Sequence, residues 1–141
     1  MRILGLDYGE KRIGVAVCDE LGFTAQGLPT IERKSKKHDL EILAAVIKNY
    51  DIEKIVIGYP VRLDGSEGIQ CKKVNRFSML LTATFSLSVI KWPETLSTKE
   101  AEEILISSGV HWRKRKKKID KLAACIILQN YLDSFSNKSV N

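Results

Sequence analysis

The sequence lacks most of what would mark a specialised chain. Cysteine is scarce: Cys18, Cys71 and Cys125 lie more than fifty residues apart, form no CxxC pair and are odd in number. A disulfide framework is therefore excluded, and small buried hydrophobes in a reduced, cytoplasmic setting are expected. No apolar run approaches the ~18 residues of a membrane span. The opening MRILGLDYG carries a charge at Asp7 and strand-like patterning, so it does not read as a signal peptide. Low-complexity tracts, internal repeats and linkers are also missing.

What remains is ordinary globular composition, 44% hydrophobic and 28% charged in 141 residues. Such a length supports one domain with a real core, expected over residues 1–135, with a polar, frayed tail over 136–141. Basic residues outnumber acidic ones 23 to 17, giving +6, which favours an acidic partner such as nucleic acid.

The elements read in order. RILGLDY and RIGVAVC are branched-residue strands joined by the short turn GEK, a hairpin. TAQGLPTIE carries Gly and Pro and suits an edge strand. DLEILAAVIKNY places Leu40, Leu43, Ala44 and Ile47 at helical spacing. KIVIGY is a strand of the kind buried on both faces. PVRLDGSEG is a loop, IQCKKVNRFSMLL a helix carrying Val74, Phe77 and Leu81, and TFSLSVIKW a fifth strand. STKEAEEILISSG is a helix with a capping box at Ser97 and Glu100 and a stop at Gly109. VHWRKRKKK reads as a basic loop, and IDKLAACIILQNYL as a buried final helix. The order predicts an α/β fold: a mixed sheet, its later strands parallel, with helices on both faces.

Three acids look misplaced in their local elements. Asp7 interrupts an apolar strand, on the face it shares with Ile3 and Gly5, and Gly5, Gly9 and Gly14 leave room for a phosphate beside it. Glu94 follows LSVIKW at the strand's C-terminal end, where α/β sheets gather ligands. Asp120 stands at the first turn of the last helix. Carboxylates converging from separate elements are what Mg²⁺ or Mn²⁺ require for phosphoryl chemistry. Each acid also has an ordinary reading, as a turn residue, a surface residue and a helix cap. Spacing alone leaves both open.

Six cations, Arg113, Lys114, Arg115, Lys116, Lys117 and Lys118, precede Asp120 with only Ile119 between. Such runs are usually solvated faces, but this one is tethered beside a candidate ligand, where it would hold phosphates in a salt-dependent way. Lys11 and Arg12 add charge next to Asp7. His38 and His111 have no partners at a recognisable ligand spacing.

GLDYGEKRIGVAVCD, IVIGYPVRLDGSEG, ETLSTKEAEEIL and RKRKKKIDKLAACIILQNYL, in this order from Arg2 to Asp133, resemble the YqgF family. These are small RNase H-like bacterial proteins described both as pre-16S rRNA processing nucleases and as Holliday junction resolvase-like proteins. The resemblance implies an RNase H-like fold with a central five-stranded mixed sheet. It also implies a hydrolase acting on phosphodiester bonds, with Asp7, Glu94 and Asp120 as its catalytic, metal-binding acids. Mg²⁺ or Mn²⁺ is the implied cofactor. The implied role is maturation of the 5′ end of small-subunit rRNA, and the partners are pre-rRNA in the ribosomal small-subunit precursor, or branched DNA, met as a monomer or homodimer. One departure stands out: where the family reads DER before LST, this chain has Pro93, Glu94 and Thr95. Two rival readings follow, an RNA-binding assembly factor with a weakened site and, ranked last, an actin-like ATPase phosphate loop at LDYGEKRIG.

Overall fold

A computed structural model describes residues 2–62, 64–94 and 112–140, with the side chains of 112–118 and 136–140 left aside. Five strands and three helices occupy them: β1 (Arg2–Tyr8), β2 (Arg12–Cys18), β3 (Ala25–Glu32), α1 (Lys36–Asn49), β4 (Ile52–Pro60), α2 (Ile69–Phe85), β5 (Ser88–Glu94) and α3 (Trp112–Val140). The helix expected over 97–109 lies outside the described residues. The strands form one sheet in the order β3-β2-β1-β4-β5. The first three pair antiparallel as a meander, while β1–β4 and β4–β5 pair parallel. This is the expected mixed sheet. The strand read as an edge, β3, is one, and its Pro29 is exposed; β5 forms the other edge and carries the exposed Pro93.

Strand alternation builds two cores. Leu4 and Leu6 of β1 point to one face and join Ile13, Val15, Ile55 and Ile57 beneath Leu43 of α1 and Val74, Phe77 and Leu81 of α2. The opposite face carries Ala16 and Val56 and is covered by Ala124, Ile127, Leu128 and Tyr131 of α3. Covered on both sides, β4 is apolar throughout its middle, with Ile55, Val56 and Ile57 fully buried.

α1 starts earlier than its apolar stripe, because the Ser35 hydroxyl caps it by accepting from the His38 amide at 3.1 Å. α2 extends through Phe85 and takes in residues that read as strand. It stops where Ser86 turns left-handed at φ 56°.

α3 differs most from expectation. It begins at Trp112, so the basic run is helical backbone and not a loop, and the helical backbone continues to Val140. Lys and Arg are good helix formers, and the docked apolar half downstream supplies a nucleus from which the helix propagates. Asp120 consequently sits eight residues into the helix, not in its first turn.

The floor beneath α3 is made of glycine. A methyl group added at Gly5 would lie 2.7 Å from Leu128 Cβ, and one at Gly58 2.6 Å from Ile127 Cδ1. At Gly14 it would collide with the backbone carbonyl of Asp120. Gly5 and Gly14 therefore clear space for this helix and not for a phosphate. Gly9 instead closes the β1–β2 turn, its amide donating to the Arg12 carbonyl at 2.9 Å. Since the obstruction at Gly14 is backbone, it has no rotamer by which to yield. Gly14→Ala should destabilise the protein by about 3 kcal/mol, at the upper end of overpacking costs, read as a lowered denaturant midpoint at unchanged slope.

Candidate active site

The three misplaced acids lie on the α3 face, at the end of the sheet where β1, β4 and β5 finish. Alternation puts Asp7 on the same side of β1 as Gly5, opposite Gly14 of β2. The β1–β4 register Leu6↔Ile57 brings Gly58 alongside it. Glu94 is the last residue of β5, level with Pro60. Its carboxylate lies over Gly58, with Oε2 2.9 Å from where a Cβ would stand, and Oε2 is shut off from solvent. Asp120 arrives from α3, its carbonyl against Gly14, and the Cβ of Asp7 lies 3.3 Å from that same glycine position.

Burial is the dominant electrostatic fact at the site, and repulsion at Asp7 adds to it. Burial pushes the Asp7 carboxyl from 3.8 up to about 8, and the charges of Glu94 and then Asp120 push the same way. Burial also raises Asp120, opposed by Arg12 and reinforced by Glu32. Arg12 Nη1 stands 3.9 Å from Asp120 Oδ2, and its Nε donates to Glu32 Oε1 at 3.3 Å. Arg12 thus spends its charge on two carboxylates, leaving Lys11, exposed on the turn, as the freer cation of the pair. The side chains of Arg113, Lys114, Arg115, Lys116, Lys117 and Lys118 lie outside the described residues.

Sequence reasoning missed the clamp behind Asp7. Arg33 Nη1 donates to the carbonyls of Gly9 (2.8 Å) and Glu10 (3.1 Å), fixing the turn that follows the acid. Its guanidinium lies 4.4 Å over the Tyr8 ring, which stacks on Phe77 at 4.2 Å. Gln70 donates to the Tyr8 carbonyl at 2.8 Å. Buried Asp39 holds the Arg33 Nε at 3.7 Å while accepting from the Lys34 amide and facing His38 Nδ1. No spacing could have signalled this, since the partners come together only through the long-range topology.

Residues 1–134 match the family described as "RuvX: Holliday junction resolvase". A protein of Syntrophus aciditrophicus (strain SB) named "Putative pre-16S rRNA nuclease" is 63% identical over 140 residues, 99% of this chain and 93% of that one. A protein of the same name from Bacillus subtilis (strain 168) is 46% identical over 138 residues, 96% of this chain and all of that one. This chain belongs to the RuvX family. It is the family, also known as YqgF, that its four motifs resemble.

Solved structures similar to this RuvX-family chain include T. thermophilus RuvC in complex with a Holliday junction substrate, with a TM-score of 0.56, 14% identity and 96% of each chain covered. Fowlpox virus resolvase with Holliday junction DNA gives 0.57 at 13% identity, covering 96% and 99%. At such identities the likeness concerns the fold, which is RNase H-like as expected.

The RuvX-family departure at Pro93 does not displace Glu94. Proline is tolerated on an edge strand, and the register Tyr59↔Pro93 carries on to Pro60↔Glu94. As a donor set, three carboxylates offer the hard oxygens that Mg²⁺ or Mn²⁺ prefer, and a cation would relieve the repulsion at Asp7. The donor chemistry of the set fits such an ion, although as the side chains stand no group of three or more His, Cys, Asp or Glu among the described residues is gathered closely enough to hold one.

The raised Asp7 value has a consequence for stability. Between about pH 4 and 8 the folded state keeps a proton that the unfolded state releases, so stability falls as pH rises through that window. Asp7→Asn removes the penalty. Each pH unit crossed in the window costs at most about 1.4 kcal/mol. In metal-free buffer the variant should match the parent near pH 4 and exceed it by about 3 kcal/mol at pH 9, roughly half of that ceiling. Thermal melts across pH measure it.

Proposed function

We propose that this chain is a metal-dependent nuclease that hydrolyses phosphodiester bonds and processes the 5′ end of pre-16S rRNA. The observation that carries the reading is the convergence of the half-buried Asp7, Glu94 and Asp120, with Asp7 pushed up to about 8 by burial and its two neighbours. A structural site gains nothing from like charges held together in a half-buried setting, whereas a site for a divalent cation needs them. The names of the relatives support rRNA as the substrate.

In this reading Asp7 and Asp120, helped by Glu94, hold one or two Mg²⁺ or Mn²⁺ ions. Such an ion supplies Lewis-acid polarisation of the phosphate and a water of lowered pKa. The chain's own residues do the rest. Gly58 lets the Glu94 carboxylate fold inward, and Gly14 lets α3 deliver Asp120 beside Asp7. Arg33 and Gln70 hold the turn and strand end that aim Asp7. Lys11 and the Arg113–Lys118 stretch grip the phosphate backbone, a contact without base specificity.

A second reading, cleavage of branched DNA, is favoured by the structural neighbours that hold Holliday junctions. Incubation with a pre-rRNA end and with a four-way junction, each with Mn²⁺, separates the two. In either case Asp7→Asn and Glu94→Gln should slow cleavage at least about a hundredfold, since metal stabilisation of the transition state amounts to several kcal/mol. Cleavage that survives unchanged in Asp7→Asn would sink the assignment.

Metal binding must displace the Asp7 proton below pH 8. The Mn²⁺ affinity should therefore rise about tenfold per pH unit up to about pH 8 and level off above it. Calorimetric titration reads this directly. A protein that neither binds Mn²⁺ nor melts higher in its presence is instead the RNA-binding assembly factor.

A further inference from the structure

Tyr8 follows Asp7 on β1, so its side chain lies on the opposite face of the same sheet end. There it opens into a cleft of about 790 Å³ between the β1–β2 turn, α1 and α2. The floor is apolar, formed by Phe77, Leu80, Ala83 and Met79, whose side chain is 73% exposed. The rim is cationic: Arg33, Lys36, Lys73 and Arg76 stand against only Glu10 and Asp39. Asp39 is already engaged by Arg33 and His38, and Glu10 by Lys73 at 3.4 Å. Lys36 and Arg76 are exposed and form no ion pair among the described residues.

The cleft also contains an unfinished stack. Phe77, Tyr8 and Arg33 form a column with spacings of 4.2 and 4.4 Å. Its last layer is the guanidinium of Arg33, whose side chain is 27% exposed although its Nε is buried. A planar, unstacked ring is the natural next layer on such a plane, and two free cations at the rim suit phosphates. A duplex keeps its base faces covered, whereas an unpaired stretch of single strand offers this combination.

We infer that this cleft is a second nucleic-acid site, which takes an unpaired nucleotide of single-stranded RNA or DNA. Its base stacks on Arg33, and its flanking phosphates meet Lys36 and Arg76. Resting on the nuclease reading, the occupant is a single-stranded flank of the same substrate, passing over the β1–β2 turn from the carboxylate face. The route is short because Asp7 and Tyr8 are consecutive residues.

The test is fluorescence anisotropy with a labelled oligouridylate in chelator, so that no cleavage intervenes. Lys36→Ala/Arg76→Ala should weaken binding about tenfold, and the slope of log affinity against log salt should become shallower by about 1.4, the share of two phosphate contacts on a single strand. A charge-matched control, Lys48→Ala/Lys54→Ala, should retain most of the affinity. Met79→Glu, which sets a like charge on the floor, should weaken binding without lowering the melting temperature. Equal losses in cleft and control variants, or no loss in either, overturn the site and reduce the rim to diffuse charge. The nuclease reading fails separately. A chain that binds through Arg76 but cuts nothing keeps the cleft and loses the nuclease, and one that cuts but binds independently of Lys36 and Arg76 does the reverse.

Discussion

The close approach of α3 to the sheet is the constraint on which the other features depend. Helices pack on sheets through side chains, and ordinary residues on β1, β2 and β4 would hold α3 outward. Gly5, Gly14 and Gly58 remove that spacer on three neighbouring strands, Gly14 and Gly58 level with Asp7 and Gly5 two residues before it. The helix settles until the carbonyl of Asp120 meets β2 and Ile127 meets β4. Only at this depth does a carboxylate from the far end of the chain share a pocket with one from its beginning. The packing of Ala124 and Leu128, which looks like simple core, is therefore also the device that assembles the site.

The second constraint follows from the first. Bringing Asp120 and Glu94 to Asp7 places like charges where solvent screens them only in part, and the folded chain carries that cost. Elsewhere it is stabilised by a branched-residue core on the opposite face, where Leu4, Leu6, Ile55 and Ile57 are wholly buried. The two faces of one sheet thus do different jobs, one supplying cohesion and the other storing electrostatic tension. Arg12 moderates the tension at Asp120, while Asp7 has no comparable cation among its causes.

Much of this was legible in the sequence, for identifiable reasons. Branched residues marked every strand, the Gly and Pro of TAQGLPTIE marked an edge, and the acids announced themselves by interrupting apolar elements. Other features were hidden because they are relations between distant residues. Nothing near Gly14 says that Asp120 will lie against it, so its smallness suggested a ligand and not a helix. Thr84 and Phe85 open the stretch that read as strand, yet the helix already running through Leu81 carries on until Ser86 turns left-handed. The basic run looked too self-repulsive to be ordered, but helix formation is cooperative and the docked residues after Asp120 decide the matter. Arg33, Asp39 and Gln70 carried no signal, since their roles exist only once β1, α1 and α2 have met.

Both outer strands of the sheet hold an exposed proline, Pro29 on β3 and Pro93 on β5. Proline has no amide hydrogen to offer, so each rim presents an interrupted row of donors to any approaching strand. A strand laid along either described rim would meet a gap in the ladder at the proline. Main-chain pairing is therefore limited at both rims, by one proline on each. In molecular terms, the prolines govern how copies may meet as much as how one chain folds.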